Sequence, residues 1–321
     1  MNSPVLIMGY RRSDLLQEIL DSLPQNRKIY IHIDGPKVNT ILEVEECRRV
    51  AQNYASRSFG KSVQVLAQTT NLGNRASFYA SLNWVFSNES RIVVLEDDIR
   101  FNNKFFEFMD WALDKFEDNP RIFHVNGFSV LGFIPGRNRL FESYSCKPWG
   151  FGTWKTSWLL HEKQTPLVSF ETFKSLPVFS KVHMSKSFEE KWLNRFLRLH
   201  EGTDTYDVGW NYSAWKNNAV ALAPRFSFTT NVGFDSRSLH TNFRPWFLYI
   251  RDFEKRKFKS FKSESVIPFP SYYDAYSDFL EWRMPGIKAG SARAIIRFYQ
   301  LVRYIKKCIL HVSSCFKFKS K

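Results

Sequence analysis

The chain has 321 residues, of which 44% are hydrophobic, 24% charged and 17% aromatic, and its formal charge is +15. That apolar share excludes an intrinsically disordered chain, and the length excludes a small stapled module, leaving one large domain or two modest ones. The positive excess calls for an anionic partner: nucleic acid, an anionic membrane or a phosphorylated substrate.

Taken in chain order, residues 4–8 predict a buried strand. A helix over 13–23 follows, with Leu15, Leu16, Ile19, Leu20 and Leu23 at helical spacing and Ser13 as N-cap. A second strand over 28–33 ends at the turn Asp34-Gly35-Pro36, and a helix over 40–54 precedes an alternating strand over 62–66. Next come a helix over 74–86, an apolar strand over 91–95 ended by Glu96-Asp97-Asp98, a helix over 103–116 and a strand over 122–125. Strands separated by helices imply a mainly parallel α/β sheet covered on both faces. Right-handed crossovers then gather the strand C-termini on one edge, where ligands bind.

The middle third is less regular. Residues 147–154 form a Gly/Trp loop, and helices are expected over 187–200 and 207–217, with a short strand over 220–223. In the loop, Trp149, Gly150, Phe151, Gly152 and Trp154 suit either a platform for a sugar ring or a tight turn over a Trp-rich core.

The last 71 residues differ in kind. Residues 251–321 hold 16 Lys/Arg against 6 Asp/Glu, so +10 of the +15 lies there. Over 291–312, Ile295, Phe298, Val302, Ile305, Ile309 and Val312 share one helical face, and Arg293, Arg297, Arg303 and Lys307 lie opposite. This pattern fits either interfacial attachment to an anionic membrane or packing against the main domain. Nucleic acid is the poorer partner, because the basic run is a tail and not a stripe with aromatics on the fold. No apolar window reaches the length of a membrane span, and the stretch before Arg11 is too short for a signal peptide. The four cysteines, at 47, 146, 308 and 315, show no ligand spacing and fit a reducing compartment.

The sharpest local signal is Glu96-Asp97-Asp98 at the end of an apolar strand. Adjacent carboxylates repel one another and resist desolvation. Mn²⁺ or Mg²⁺ would relieve both penalties, since hard cations prefer oxygen ligands and bridge to phosphates. The alternative is a solvated acidic turn capping the next helix. On the same expected edge, Arg11 and Arg12 sit where a strand meets a helix N-terminus, a place that holds phosphate, although they are equally plain surface charge.

The order strand–GYRR–helix–strand–DG, then Asn71-Leu72-Gly73-Asn74-Arg75, then VVLEDD followed by Phe101, Phe105 and Phe106, resembles the nucleotide-sugar half of GT-A-fold glycosyltransferases. The segment IVVLEDDIRFNNKFFEFM is similar to the N-acetylglucosaminyltransferase I-like group, and the stretch from Asp204 to Thr241 looks like bacterial nucleotide-diphospho-sugar transferases. The resemblance implies a GT-A (Rossmann-like) fold with a basic helical C-terminal tail. It divides the chain into a domain over 1–250, made of a nucleotide-sugar half (1–130) and an acceptor half (131–250), and an extension over 251–321. It implies a metal-dependent inverting transferase using a UDP-type donor and a saccharide or lipid-linked acceptor. Such an enzyme would serve surface polysaccharide synthesis at the cytoplasmic face of a membrane.

Residue by residue, the resemblance implies that Asp98 binds the metal. Glu96 and Asp97 would contact ribose or donor sugar, or reach the metal through water. Asp34 would accept a hydrogen bond from the base, Arg11 or Arg12 would sit near the diphosphate, and Arg75 would contact the donor or pair with the acidic cluster. Asp207 would be the catalytic base, with Asp204 its rival; both also fit the start of a helix, as N-cap and first-turn acid. His240 is a second candidate metal ligand or else a structural histidine. Chemistry supports a base far along the chain, because inversion places the proton acceptor across the sugar ring from the leaving diphosphate. Two alternatives stand beside this one. A sugar nucleotidyltransferase would share the sheet and metal, but GYRRSD poorly matches its Gly-rich loop. A non-enzymatic basic binding protein leaves the acidic cluster without a purpose.

Overall fold

The computed structural model describes residues 2–58, 62–129, 140–161, 167–181, 186–237 and 266–267, together with 274 and 277. In chain order the elements are β1 (Val5–Gly9), α1 (Ser13–Ser22), β2 (Ile29–Ile33), α2 (Ile41–Arg57), β3 (Val63–Ala67), α3 (Asn74–Phe86) and β4 (Arg91–Glu96). There follow β5 (Ile99–Phe101), α4 (Phe105–Lys115), β6 (Ile122–Asn126), β7 (Leu140–Ser143), β8 (Phe151–Trp154), α5 (Lys155–Leu159), α6 (Phe170–Lys174) and α7 (Pro177–Lys181). The chain continues through α8 (Lys186–His200), α9 (Asp207–Lys216), β9 (Val220–Pro224), β10 (Thr229–Asn231) and β11 (Val266–Ile267).

Among the described residues the main sheet has nine strands in the order β11-β7-β9-β6-β8-β4-β1-β2-β3. Strands β3, β2, β1 and β4 run parallel, so their C-terminal ends share one edge. Strand β8 runs antiparallel between β4 and β6. Period-2 alternation sorts the side chains. Val5, Ile7, Val93 and Leu95 face a core shared with α1, α2 and α4. Leu6, Ile92 and Val94 face the opposite core, with α3, α5 and α9. The expected mainly parallel α/β sheet with helices on both faces is what forms. A third aromatic core joins α6, α7 and α8 to the outer side of α9, through Phe173, Trp192, Phe196 and Trp215.

Four features depart from the sequence expectations. Arg12, not Ser13, is the N-cap of α1; its carbonyl accepts Leu16 N–H at 2.9 Å and no side chain caps the helix. The strand β5 directly after the acidic cluster was not expected; it pairs with β10, Ile99 opposite Asn231. The Gly/Trp loop enters β8, where Phe151 and Trp154 are core residues and the Trp154 indole donates to Leu113 O at 3.0 Å. Its glycines serve packing: a Cβ on Gly152 would lie 3.1 Å from Leu113, so α4 seats closely on β8. The sheet also reaches past residue 250. β11 pairs in parallel with β7, and the buried Asp274 carboxylate accepts Ser143 Oγ–H and Tyr144 N–H, both at 2.6 Å. The expected tail helix over 291–312 lies outside the described residues. No helix among the described residues is long and apolar enough to cross a membrane.

One histidine is built into the core. The Trp210 indole donates to His124 Nδ1 at 3.0 Å, so the proton resides on Nε2, which lies 3.2 Å from Lys147 O. The ring also stacks on Phe151 at 4.5 Å. Burial lowers its pKa from 6.5 to about 3. An unfolded chain therefore takes up this proton below pH 6.5 while the folded one does not. Wild-type stability relative to His124→Gln is expected to narrow by about 1.4 kcal/mol per pH unit below 6.5. Urea unfolding of both proteins between pH 7 and 4 checks this; a constant difference would mean that the folded protein accepts the proton.

Candidate active site

A cavity of about 300 Å³ opens at the C-terminal edge of β1, β2 and β4. The chain runs outward through β1, β2 and β3, then returns to place β4 on the other side of β1. The crevice at such a reversal is where open α/β sheets bind ligands. Six segments line it: Met8 to Arg12, Asp34 with Lys37, Asn71 to Ser77 in part, Glu96-Asp97-Asp98, and the distant Asp204 and Arg237.

The acidic cluster turns the chain from β4 into β5. Asp97 and Asp98 are buried, and Arg12 bridges them: one guanidinium nitrogen pairs with Asp97 Oδ1 and the other with Asp98 Oδ2 at 2.9 Å. Asp98 Oδ1 is buried with no hydrogen-bond partner among the described residues. Burial and the neighbouring Asp98 push the Glu96 carboxyl up to about 8. Burial likewise raises Asp97, against the opposing pull of Arg12. The Tyr206 hydroxyl donates to Glu96 Oε1 at 2.9 Å, while its ring stacks on Phe78 at 3.8 Å. Among the described residues no three His, Cys, Asp or Glu side chains already form a group able to hold a metal ion. The donor chemistry nevertheless suits a hard cation: adjacent carboxylates, one of them with an unpaired buried oxygen.

Asp34 plays a different part from the one expected of it. Its carboxylate accepts Gly35 N–H at 2.8 Å, Leu72 N–H at 2.9 Å, Gly73 N–H at 3.1 Å and Asn71 Nδ2–H at 3.0 Å. A carboxylate has about four lone-pair directions, so its capacity is used within the fold and not held open for a nucleobase. It clamps the 71–73 loop against β2, and Gly35 permits the close approach: a Cβ there would fall 2.2 Å from the Thr70 backbone.

The two carboxylates expected as base separate. Asp204 lines the cavity and caps α3 across the chain, accepting Asn74 N–H at 2.5 Å and Arg75 N–H at 3.0 Å. Gly73, at φ +82°, leaves room for this approach, since a Cβ would lie 2.3 Å from Asp204 Oδ2. Asp207 is buried and is not part of the cavity lining. It pairs with Arg195 at 2.8 Å and accepts Thr205 Oγ1–H at 2.6 Å, tying α9 to α8. The physical reason is position: Asp207 begins α9, whose faces are both packed.

Arg11 lines the cavity and donates to Arg237 O at 2.7 Å. The Arg75 side chain is not in the lining, and His240 lies outside the described residues. Sequence reasoning passed over Tyr206, Lys37, Ser77 and Arg237. Tyr206 had a signal, an aromatic hydroxyl between two candidate acids. Arg237 reaches the site only because β10 pairs with β5; from there it binds Asp14 at 2.7 Å and Asp235 at 2.6 Å.

The sequence matches no family model and no curated protein. Among solved structures, it is similar to a mannose-1-phosphate geranyltransferase of Thermus thermophilus, at 11% identity and a TM-score of 0.37 over 73% of this chain and 77% of that one. The glycosyltransferase GlyE of Streptococcus pneumoniae aligns at 10% identity and a TM-score of 0.28 over 63% of this chain, which spans 44% of GlyE. A protein of Bacillus anthracis assigned as a glucose-1-phosphate thymidylyltransferase aligns at 15% identity and a TM-score of 0.25, over 67% of this chain and 94% of that one.

The two structural carboxylates differ in how much they hold. Asp34→Ala strands three backbone donors and an amide and is expected to cost about 3 kcal/mol. Asp204→Ala removes one helix cap and is expected to cost about 1 kcal/mol. Urea unfolding of the two variants checks the order; equal small losses would mean that solvent replaces the bonds of Asp34.

Proposed function

We propose that the chain is a metal-dependent, inverting glycosyltransferase that moves a sugar from a nucleotide-diphosphate donor, of UDP-sugar type, to a saccharide or lipid-linked saccharide acceptor. The observation that carries this is the carboxylate turn Glu96-Asp97-Asp98 beside Arg11 and Arg12 at the switch point of the sheet, with one buried Asp98 oxygen that has no partner among the described residues.

Asp98, with Asp97, would hold Mn²⁺ or Mg²⁺. Such a cation, when bound, supplies charge neutralisation for the departing diphosphate. Arg11 and Arg12 add charge-assisted donors on the same wall of the cavity. Glu96, steadied by the Tyr206 hydroxyl, is the carboxyl placed to meet donor hydroxyls. Asp34 contributes by holding the 71–73 loop that lines the cavity. Of the two expected bases, Asp204 is the one at the cavity, and we assign to it the proton of the attacking acceptor hydroxyl. Asp207, committed to Arg195, is assigned a structural role. One displacement with base and leaving group across the sugar ring inverts the anomeric centre.

A panel of UDP-, GDP-, dTDP- and CMP-sugars, screened by thermal shift with and without Mn²⁺, is expected to yield one nucleotide that stabilises only with metal. Asp98→Asn is expected to abolish that stabilisation. Asp204→Asn is expected to slow transfer at least 100-fold, on the order of a lost general base, with donor binding retained. Transfer activity unchanged in Asp98→Asn or without metal would sink the metal assignment. Pyrophosphate release from a nucleoside triphosphate and a sugar 1-phosphate would assign nucleotidyl transfer instead.

A further inference from the structure

Arg12 occupies the space between the carboxylates that the proposed function gives to a metal. Its guanidinium reaches Asp97 with one nitrogen and Asp98 with the other, and its side chain is only 15% exposed. The backbone of the segment after β10 lies against this bridge. Val232 N–H donates to Asp98 O at 2.9 Å, and a Cβ on Gly233 would fall 2.4 Å from the bridging nitrogen of Arg12 and 2.1 Å from Asp98 Oδ2. On that side the backbone of Gly233 closes off the bridge. A divalent ion arriving alone would face a buried like charge, a costly arrangement in a desolvated site.

Arg12 also has an alternative partner within reach of its own cavity wall. It precedes the first turn of α1, beside Arg11, and both line the cavity that would receive the donor diphosphate. A guanidinium pairs with phosphate as readily as with carboxylate, in the same two-pronged geometry. We propose that Arg12 is a resident counter-cation of the carboxylate turn, and that the donor diphosphate admits the divalent cation by drawing Arg12 away from Asp97 and Asp98. The inference rests on the metal-dependent transferase reading. Before, Asp97 and Asp98 share the single charge of Arg12 and keep one negative charge in excess; after, a divalent metal would neutralise both carboxylates, and Arg12 would join Arg11 at the diphosphate. Asp98 Oδ1, which has no partner among the described residues, would gain one in the second arrangement. Metal and nucleotide then bind with positive coupling, and each strengthens the other by the same factor.

The test is Mn²⁺ titration of the full chain, followed by the electron paramagnetic resonance signal of free Mn²⁺, with and without UDP as the diphosphate probe. In the wild type, UDP is expected to tighten Mn²⁺ binding by about 10-fold or more. In Arg12→Ala, Mn²⁺ alone is expected to bind about 10-fold more tightly than in the wild type, with a correspondingly smaller gain from UDP. Should Arg12→Ala melt below the assay temperature, Arg12→Lys replaces it. That variant keeps the charge and loses the fork, so Mn²⁺ alone tightens by about 3-fold. A folded Arg12 variant that binds Mn²⁺ alone no better than wild type overturns the inference while leaving the transferase reading intact. Wild-type protein that binds no Mn²⁺ in either condition, or Asp98→Asn that binds it undiminished, overturns that reading and this inference together.

Discussion

The structure is organised by the cost of placing carboxylates at the end of a buried strand. β4 is apolar because both faces of the sheet are covered, and it delivers Asp97 and Asp98 into a desolvated turn. Negative charges there must be matched or protonated. The surrounding segments supply the answer. Arg12, at the start of α1, bridges the two aspartates, and Tyr206, just before α9, gives Glu96 a hydrogen bond. β10 comes to lie on β5, bringing Gly233 against the bridge and Arg237 to the cavity rim. The cavity is thus where a charge problem created by one strand is met by two other parts of the chain, Arg12 and Tyr206.

A second pair of carboxylates, Asp34 and Asp204, does architectural work at the same place. Asp34 binds backbone N–H groups of the loop between β3 and α3, and Asp204 binds those of the first turn of α3. Gly35 and Gly73 are the complements of these contacts, because a side chain at either would occupy the space of a backbone or a carboxylate oxygen. The loop is therefore held in place at the cavity, which lowers the entropic cost of ordering it around a ligand. Asp204 combines this role with an exposed position in the cavity lining.

Much of this was legible in the sequence. The strands at 4–8, 28–33, 62–66 and 91–95 and the helices between them were marked by apolar runs of the right length and by turns such as Asp34-Gly35. The edge carrying Arg11, Arg12, Asp34 and Glu96-Asp97-Asp98 followed from the strand directions. What was missed shares one cause: partners far apart in sequence. β5 is three residues long and forms only because β10 meets it about 130 residues later. Phe151 and Trp154 read equally as a sugar platform or as core; the seat of α4 on β8 decides for core at Trp154, and packing against His124 and Trp210 decides for it at Phe151. Ser13 had the chemistry of a cap, but the backbone enters α1 one residue earlier, where Arg12 is drawn toward the carboxylates. Asp204 and Asp207 could not be told apart by spacing, since the difference is which of them faces the cavity.

By itself the sequence determined the α/β alternation, the parallel edge and the acidic turn at its centre, because hydrophobic periodicity and local turn chemistry act over neighbouring residues. It also located two-thirds of the positive excess in residues 251–321, away from the cavity. Only the tertiary structure decided which charges meet. The pairing of Arg12 with Asp97 and Asp98, the commitment of Asp34 to a loop, the capping of α3 by Asp204 and the burial of Asp207 with Arg195 each join residues that are distant in the chain. Electrostatic partnership depends on distance and burial in three dimensions, and neither is written in the order of residues.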